Sequence, residues 1–572
     1  MKAGEEIFMD LIRTNVQFKV PIYQRLYDWK ESHCQTLVDD IIQLLRNPEI
    51  PIHFMGSIVY IDEKGPERAV RTRELLLIDG QQRLTTFILI LKILEELSKE
   101  ENPELRDEII NTCLTNQYSK LDNKNKLILT RRDNEILEKL LRGENIDKLD
   151  SNISTNYKYL KNKFVSIKNE FSINEIYDGL YKIMVVDVGL SHNHDNPQQI
   201  FESLNATGKA LSDADLIRNF ILMNLESDVQ ERLYVSYWYE IEKLLESDLK
   251  DFLEDFTYMK KGISTNIKDL YKEFKLLFYK EYNNETENRF KNVEIFVEEL
   301  LRYAEYYDII LYEQDPSKEI NDALSNLNSL NYYSHIPLLL KIFDEYKKNN
   351  LSTEELVDII YVIESFLFRR SICNIPTNSL NPIFRTIWKK IEGSEETLDS
   401  YDKISIRDNL ISELKSGEWN KRWPDDDEFR EKLIYNDLYH QRFDKHLLEE
   451  LERISSKDSR KEFDNLTVEH ILPQTSGDPE KLSETWKNML GSDYIEIRNK
   501  WLHKLGNLTL TGYNPELSNK DFVTKKTMPD GFNESPLKLN LEISKYDKWD
   551  EESILNRSNK LAEMAINRWN FF

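Results

Sequence analysis

Residues 75–87, LLLIDGQQRLTTF, decide the fold of the N-terminal region, because they predict a buried strand that turns directly into a helix. The run that begins at Leu75 is short and apolar, as in a central strand. Asp79 and Gly80 break this run, and residues 85–97 continue with helical spacing and without Pro or Gly. We therefore expect a strand, a tight turn and a helix in immediate succession.

The turn itself suits an anion. Gly80 lets the backbone approach a ligand closely, and the free N–H groups at the start of a helix favour negative charge. Arg83, in the first helical turn, is placed to donate two hydrogen bonds to a phosphate. The alternative is an ordinary turn capped by Asp79 with Arg83 at the surface, because the spacing is neither that of a P-loop nor that of a dinucleotide fingerprint.

Other segments are predicted to lie around this turn. Residues 53–60, HFMGSIVY, predict a strand paired with the first one across a polar loop, and residues 183–188 predict a third strand. Residues 20–30, VPIYQRLYDWK, interleave aromatic and basic side chains, which suits either a base and a phosphate or a core-facing aromatic stripe. Residues 200–222 predict a polar loop followed by a helix that Ser212 caps. This loop could close on an anion, or it could simply connect two helices.

Composition narrows the class of protein. A chain of 572 residues is too long to fold around a single hydrophobic core, which indicates two to four domains. Its hydrophobic content of 40% indicates a globular protein. The net charge of −25 argues against a surface that binds DNA nonspecifically over much of its area, but it does not exclude a local DNA-binding site. No apolar run suits a membrane span and the start lacks a signal-peptide core, so we expect a soluble cytoplasmic protein without a membrane partner.

A second set of chemical residues lies near the C-terminus, in VEHILPQ (residues 468–474) and LHKLGNLTLTGYNPELSNKDF (residues 502–522). His470 suits proton abstraction from water, and the adjacent Glu469 with amide oxygens suits Mg²⁺ or Mn²⁺. Neighbouring residues on a strand point to opposite faces, so both serve one site only if the backbone bends. The alternative is a surface loop with capping asparagines and a solvated histidine; His503 is a secondary candidate.

The order His470, Asn507 and a later Asn resembles the HNH nucleases with their ββα layout. The resemblance implies that His470 is the general base, that Glu469 binds the metal and that Asn507 orients the His470 ring. It implies Asn514 as the second metal ligand, with Asn519 as its alternate. Many HNH sites have Asp or His at the position of Glu469. This difference bears on the assignment of the metal ligands and not on the assignment of His470 as the base.

The motifs VPIYQRLYDW, FMGSIVY, IDGQQRLTT, FESLNATGKALS and LGNLTLTGYN, in this order, resemble the modification-dependent (type IV) restriction endonucleases of the GmrSD type and SspE-like anti-phage proteins. The resemblance covers about residues 1–230 and 420–572. It implies an N-terminal ParB/sulfiredoxin-like domain that hydrolyses a nucleoside triphosphate, with Arg83 on phosphate and Asp79 on the metal or water. The implied nucleotide-binding residues are Gln24, Arg25, Gly80, Gln81, Gln82, Arg83, Thr85, Thr86 and Asn205.

These observations lead to one prediction of fold and function. The fold is mostly α with small α+β modules: a ParB/sulfiredoxin-like domain (1–230), a helical middle (231–420) and a ββα-metal nuclease within a helical domain (421–572). The predicted function is that of a DNA endonuclease that acts on foreign or modified DNA, is regulated by a nucleoside triphosphate and depends on Mg²⁺ or Mn²⁺. The sequence leaves open whether the protein forms homo-oligomers. The alternatives are a nucleotide-dependent sensor of modified DNA with a silent nuclease unit, and a growth-arresting nuclease toxin.

Overall fold

The structure is a computed structural model that describes residues 2–62, 72–117, 119, 121, 123–190, 199–200, 202, 211–223, 225–282, 289–395, 405–456, 466–512 and 517–572. The chain divides into two compact units. The N-terminal unit comprises residues 1–250 and 269–301, and the C-terminal unit comprises residues 251–268 and 302–572. The predicted limits at residues 230 and 420 stay a prediction. Among the described residues, no helix is long and apolar enough to span a membrane.

The N-terminal unit contains a mixed sheet whose strands lie in the order β1, β6, β3, β4, β2, β5. Strand β4 pairs antiparallel with β3 and parallel with β2, which confirms the predicted pairing of the first two strands. Strand β6 pairs parallel with β3 and antiparallel with β1. The strands are β1 Lys2–Ile7, β2 Val16–Lys19, β3 His53–Asp62, β4 Arg73–Asp79, β5 Leu127–Ile128 and β6 Ile183–Leu190.

Helices make up most of the rest of the described chain, which confirms a mostly α fold with small α+β modules. The first thirteen are α1 Phe8–Arg13, α2 Glu31–Arg46, α3 Gln81–Ser98, α4 Pro103–Glu108, α5 Arg131–Leu141, α6 Asn152–Ile167, α7 Ile173–Leu180, α8 Asp213–Leu222, α9 Ser227–Leu233, α10 Tyr239–Leu245, α11 Leu249–Lys261, α12 Leu270–Tyr282 and α13 Arg289–Tyr312. Two π-helical segments, Ile109–Leu114 and Tyr234–Trp238, and the 3-10 turn Glu246–Asp248 interrupt them.

The later helices are α14 Lys318–Ser329, α15 Ile336–Lys347, α16 Thr353–Ile372, α17 Leu380–Glu395, α18 Ile406–Lys415, α19 Asp426–Tyr435, α20 Asp444–Ser456, α21 Glu484–Leu490, α22 Tyr494–Trp501, α23 Phe522–Thr527, α24 Lys538–Ile543 and α25 Glu551–Arg568. Within the C-terminal unit, β7 Thr467–His470 and β8 Leu508–Thr511 form an antiparallel pair. Short 3-10 turns, among them Leu505–Asn507, connect several of these elements.

Strand β4 and helix α3 form the centre of the N-terminal unit. Residues 75–78 are buried on both faces of the sheet, as a continuous apolar run requires. Helix α3 is buried nearly all round, because its residues 84–94 are almost entirely apolar. It begins at Gln81, earlier than the periodic pattern from Thr85 indicates, because Gly80 adopts a left-handed conformation (φ 100°) that redirects the chain within one residue.

Candidate functional site

The turn between β4 and α3 brings Asp79 and Arg83 together. Arg83 Nη2 lies 2.8 Å from Asp79 Oδ2, and Ser57 Oγ donates to the same oxygen at 3.3 Å. The Arg83 side chain is 21% exposed. Gly80 has no side chain to cap the helix, so no side-chain hydrogen bond caps the first N–H groups of α3, which lie next to Arg83 in the sequence. The turn therefore combines a reachable cation with a helix N-terminus, an arrangement that suits phosphate.

A glycine of the neighbouring strand makes room for Arg83. Gly56, in β3, has a φ of +113°, and a Cβ atom built on it would lie 1.9 Å from Arg83 Nη1. Arg83 Nη1 also donates to the backbone oxygen of Met55 at 3.5 Å. The guanidinium thus rests directly on the Gly56 backbone, and no other residue type leaves that space.

Gln82 holds the aromatic and basic segment of residues 24–29 against the turn. Its Oε1 accepts hydrogen bonds from the backbone N–H groups of Asp28 and Trp29, at 2.8 and 3.1 Å. Its Nε2 donates to the backbone oxygen of Leu26 at 3.2 Å. Both ends of the Gln82 amide are therefore used within the protein, and the structure places Gln82 beneath the turn.

Gln81 and Gln24 tie the same two segments together. Gln81 Nε2 donates to the backbone oxygen of Arg25 at 2.8 Å, and Gln24 Nε2 donates to the backbone oxygen of Ile78 at 3.2 Å. Both glutamines are buried, whereas Arg25 lies 3.9 Å from the carboxylate of Asp28. The backbone of the YQR segment therefore lies beside the Asp79 turn, and the amides of Gln24 and Gln81 contact backbone.

The threonines of the IDGQQRLTT motif point into the core. Thr85 and Thr86 are fully buried. Thr86 Oγ1 donates to the backbone oxygen of Gln82 at 2.8 Å and lies 2.7 Å from the Tyr27 hydroxyl. Asn205, the remaining predicted nucleotide-binding residue, lies outside the described residues. The predicted roles of these residues stay predictions; the Arg83 side chain is partly exposed, whereas Gly80 is buried against Ser57 and Ile58 of β3.

Arg218 contacts the YQR segment and was not predicted. Its Nε donates to the backbone oxygen of Tyr23 at 2.6 Å, and its Nη2 lies 2.6 Å from Asp215 Oδ1. Nη1 pairs with Glu242, which also accepts from Trp238 Nε1 at 2.8 Å. Only the spacing of Asp215 and Arg218 on one helix face was visible in sequence, since the other partners lie far along the chain.

In the C-terminal unit, Glu469 and His470 point to different surroundings. They occupy adjacent positions of β7, opposite Thr509 and Leu508 of β8. Glu469 Oε1 accepts a hydrogen bond of 2.6 Å from Lys525 Nζ, which also donates to the backbone oxygen of His470 at 2.7 Å. Burial raises the pKa of Glu469 and lowers that of Lys525, and each charge opposes the shift of the other.

Both ring nitrogens of His470 have protein partners. Gln474 Nε2 lies 2.9 Å from Nδ1, and His503 Nδ1 lies 3.1 Å from Nε2. The Tyr439 ring packs edge-on against the imidazole at a centroid distance of 4.2 Å, and His470 is only 4% exposed. Burial first, and the neighbouring imidazole and cationic groups after it, lower its pKa to about 3, so the ring is neutral at pH 7.

Asn507 binds the backbone that follows His470, and its described bonds do not reach the ring. Its Oδ1 accepts from the N–H of Leu472 at 2.7 Å and from Trp549 Nε1 at 3.1 Å. Its Nδ2 donates to the backbone oxygens of Leu472 at 3.1 Å and Leu502 at 2.9 Å. Asn507 ends a 3-10 turn before β8, so its side chain faces the loop after β7.

The side chains predicted to bind a divalent ion do not converge in the described structure. Glu469 is paired with Lys525, and Asn519 Oδ1 accepts from the N–H of Thr475 at 3.3 Å. Asn514 lies outside the described residues. Among the described residues, no group of three His, Cys, Asp or Glu side chains suits a metal ion. These donors do not fit the predicted ion, and we derive no catalytic step through it.

The sequence did not predict that three residues contact Glu469 or His470: Gln474, Lys525 and His503. Gln474 follows His470 at the end of the HILPQ motif, and Lys525 lies on α23. His503 was visible four residues before Asn507, but sequence does not tell which of the two faces His470.

Two family models match this chain. The model described as the GmrSD restriction endonuclease N-terminal domain matches residues 6–222, and that of the GmrSD restriction endonuclease C-terminal domain matches residues 423–564. An uncharacterized protein of Methanocaldococcus jannaschii is 28% identical over 236 residues. That alignment covers 36% of this chain and 40% of the archaeal protein, so the chain spans well under two thirds of this relative.

Proposed function

This chain belongs to the GmrSD restriction endonuclease family, and we propose that it cleaves DNA at a C-terminal site centred on His470, under the control of a nucleoside triphosphate bound at the Asp79–Arg83 turn. The observation that supports the proposal best is the neutral, polar-bonded imidazole of His470 at the end of β7. It lies within the residues that match the C-terminal family domain. The substrate class, foreign or modified DNA, follows from the family.

The chemistry assigned to His470 is general-base catalysis. A neutral imidazole takes a proton from water, the water oxygen attacks the phosphorus, and the bond from phosphorus to the leaving oxygen breaks. The lowered pKa, which results first from burial, keeps the ring unprotonated at pH 7. A pKa near the working pH suits a general base best, so we expect the pKa of His470 to rise toward its usual value when water and DNA reach the ring. Lys525 supports the site indirectly, because one ammonium group holds both the Glu469 side chain and the His470 backbone.

The nucleotide would contact Arg83 and the N–H groups at the start of α3. The Arg83 guanidinium and the helix N-terminus both favour a phosphate group. Asp79 lies next to that position and is proposed to position the attacking water of nucleotide hydrolysis. The buried glutamines support the turn through the backbone of residues 25–29. Nucleotide hydrolysis, and its effect on cleavage, are proposals from the family resemblance and this geometry.

A plasmid-nicking assay tests the nuclease. Wild-type protein is incubated with modified and unmodified phage DNA and with plasmid, with Mg²⁺, with Mn²⁺ and with a chelator, and with each nucleoside triphosphate in turn. His470→Ala should abolish cleavage and leave nucleotide hydrolysis unchanged. Asn488→Ala is the control, since Asn488 is an exposed residue of α21 in the same unit. Cleavage by His470→Ala at the wild-type rate would contradict the proposal.

The nucleotide site has its own test. Arg83→Ala should remove nucleotide hydrolysis, because the phosphate loses its cation. Arg46→Ala serves as control, since Arg46 forms an exposed ion pair with Glu170 in the same unit. Unchanged turnover in Arg83→Ala would exclude the proposed phosphate contact.

A second function is favoured by one observation. His470 is buried, both of its nitrogens are bonded to side chains, and Glu469 is paired with Lys525. A nucleotide-dependent sensor of modified DNA with a silent nuclease unit would have such a site. The same assay separates the two functions, because a sensor binds modified DNA without nicking it under any metal or nucleotide condition.

A further inference from the structure

We propose that His503, and not Asn507, holds the His470 imidazole in the tautomer and orientation that general-base catalysis needs; this inference rests on the proposed nuclease function. His503 Nδ1 lies 3.1 Å from His470 Nε2. The Asn507 amide makes four hydrogen bonds, to Leu472, Leu502 and Trp549. These bonds saturate its two donors and two acceptor sites, so none is left for the ring.

The contacts of His470 define its tautomer. The amide nitrogen of Gln474 can only donate, so His470 Nδ1, at 2.9 Å, is the acceptor. The single ring proton of neutral His470 is then on Nε2, and it is donated to His503 Nδ1. His503 in turn carries its own proton on Nε2. His503 therefore does for this ring what an orienting acceptor does for the base of a hydrolase.

His503 is itself held in place by one loop segment. Its ring stacks on Tyr439 at a centroid distance of 5.4 Å with an interplanar angle of 5°. Its backbone oxygen accepts from the N–H of Leu438 at 2.9 Å. The Tyr439 ring also contacts His470 edge-on. One aromatic ring thus fixes both imidazoles, and the acceptor cannot turn away from the base without losing this packing.

The arrangement makes Nδ1 the basic nitrogen. The water O–H bond breaks, its proton joins His470 Nδ1, and the oxygen forms the new bond to phosphorus while the bond to the leaving oxygen breaks. The imidazolium keeps its Nε2 proton on the hydrogen bond to His503, which stabilises the new charge. The Gln474 amide occupies the position of this water at Nδ1, so Gln474 turns aside when water and DNA enter.

Two variants of His503 separate orientation from structure. His503→Leu removes the acceptor, whereas the side-chain oxygen of His503→Asn can replace Nδ1. We expect His503→Leu to lower kcat for nicking by about 10- to 100-fold, the range typical of orienting partners, with KM for DNA changed less than about twofold. His503→Asn should recover most of the rate. Asn488→Ala, at an exposed position of α21, should nick like the wild type.

A spectroscopic measurement tests the tautomer without reference to activity. Full-length protein labelled with ¹⁵N at its 9 histidines gives imidazole correlations, and comparison with His470→Ala assigns those of His470. The wild type and His503→Asn should show the proton on Nε2, and His503→Leu should show a shift of population to Nδ1–H. An unchanged His470 tautomer in His503→Leu, or a His503→Asn variant as slow as His503→Leu, would overturn the inference. If wild-type protein nicks no DNA, the nuclease proposal fails, yet this spectrum still decides the role of His503.

Discussion

At the scale of single residues, the buried amide side chains at both candidate sites form hydrogen bonds mainly to backbone groups. Asn507 was expected beside the His470 ring, and it instead joins the segment after β7 to the turn before β8. Residue types and order in the sequence identified the right region, because His, Asn and Pro at this spacing are uncommon. The partners depend on the backbone path between residues 472 and 507, which local patterns do not encode.

Asn507→Ala should therefore act through stability. The substitution leaves the Leu472 N–H and the Trp549 indole N–H without their acceptor in a buried place. We expect the C-terminal unit to lose about 3 kcal/mol of unfolding free energy, since each buried unsatisfied group costs about 1–3 kcal/mol. Urea unfolding followed by tryptophan fluorescence measures this loss. Asn488→Ala, at an exposed position of α21, is the control, and a wild-type midpoint for Asn507→Ala would contradict the expectation.

At the scale of elements, the β4 strand, its turn and α3 were predictable, and their supports were not. The apolar run and the helical spacing identify both elements within one short stretch of sequence. The prediction did not include β1, β2 and β5, which are short or mostly polar. Within the middle that was predicted as helical, helix α10 ends at Leu245 because the next residue, Glu246, has a φ of +42°.

The contact of Gly56 with Arg83 supports the Asp79–Arg83 turn, and the sequence did not reveal it. In Gly56→Ala the new methyl group would occupy the position of Arg83 Nη1, and the positive φ adds strain of about 1–2 kcal/mol. We expect nucleotide hydrolysis to fall as far as in Arg83→Ala. Gly4→Ala is the matched control on an edge strand, because a Cβ there meets nothing within 4 Å. Wild-type hydrolysis in Gly56→Ala would show that the Arg83 position is dispensable.

At the scale of the whole molecule, resistance to acid should be limited by the C-terminal unit. His335 is fully buried, and its two ring nitrogens have no hydrogen-bond partner among the described residues. Burial lowers the pKa of His335 to about 3 and that of His446 to about 4. Both groups take up protons more readily when unfolded, so the folded state loses stability as the pH falls below the unfolded value of about 6.5.

The consequence can be measured as a pH profile of unfolding. Each of these two histidines should cost about 2 kcal/mol at pH 5 relative to pH 8, from an unfolded pKa of about 6.5. His335→Leu should flatten the profile between these two pH values, because leucine has a volume similar to that of histidine and takes up no proton. His440→Leu, at an exposed position, should not. Equal slopes for wild type and His335→Leu in urea titrations at several pH values would refute this account.

The Asp79–Arg83 pair has a consequence for ligand selection. Asp79 is an anion tethered four residues from its cation, so it competes with every incoming anion at an effective concentration far above that of free ligands. A ligand gains free energy only where it neutralises Arg83 better than this carboxylate does. We therefore expect small singly charged anions to bind less well than a multiply charged polyphosphate. If the turn binds a nucleotide as proposed, the Asp79 carboxylate selects for the charge of the phosphates and not for the base or the sugar.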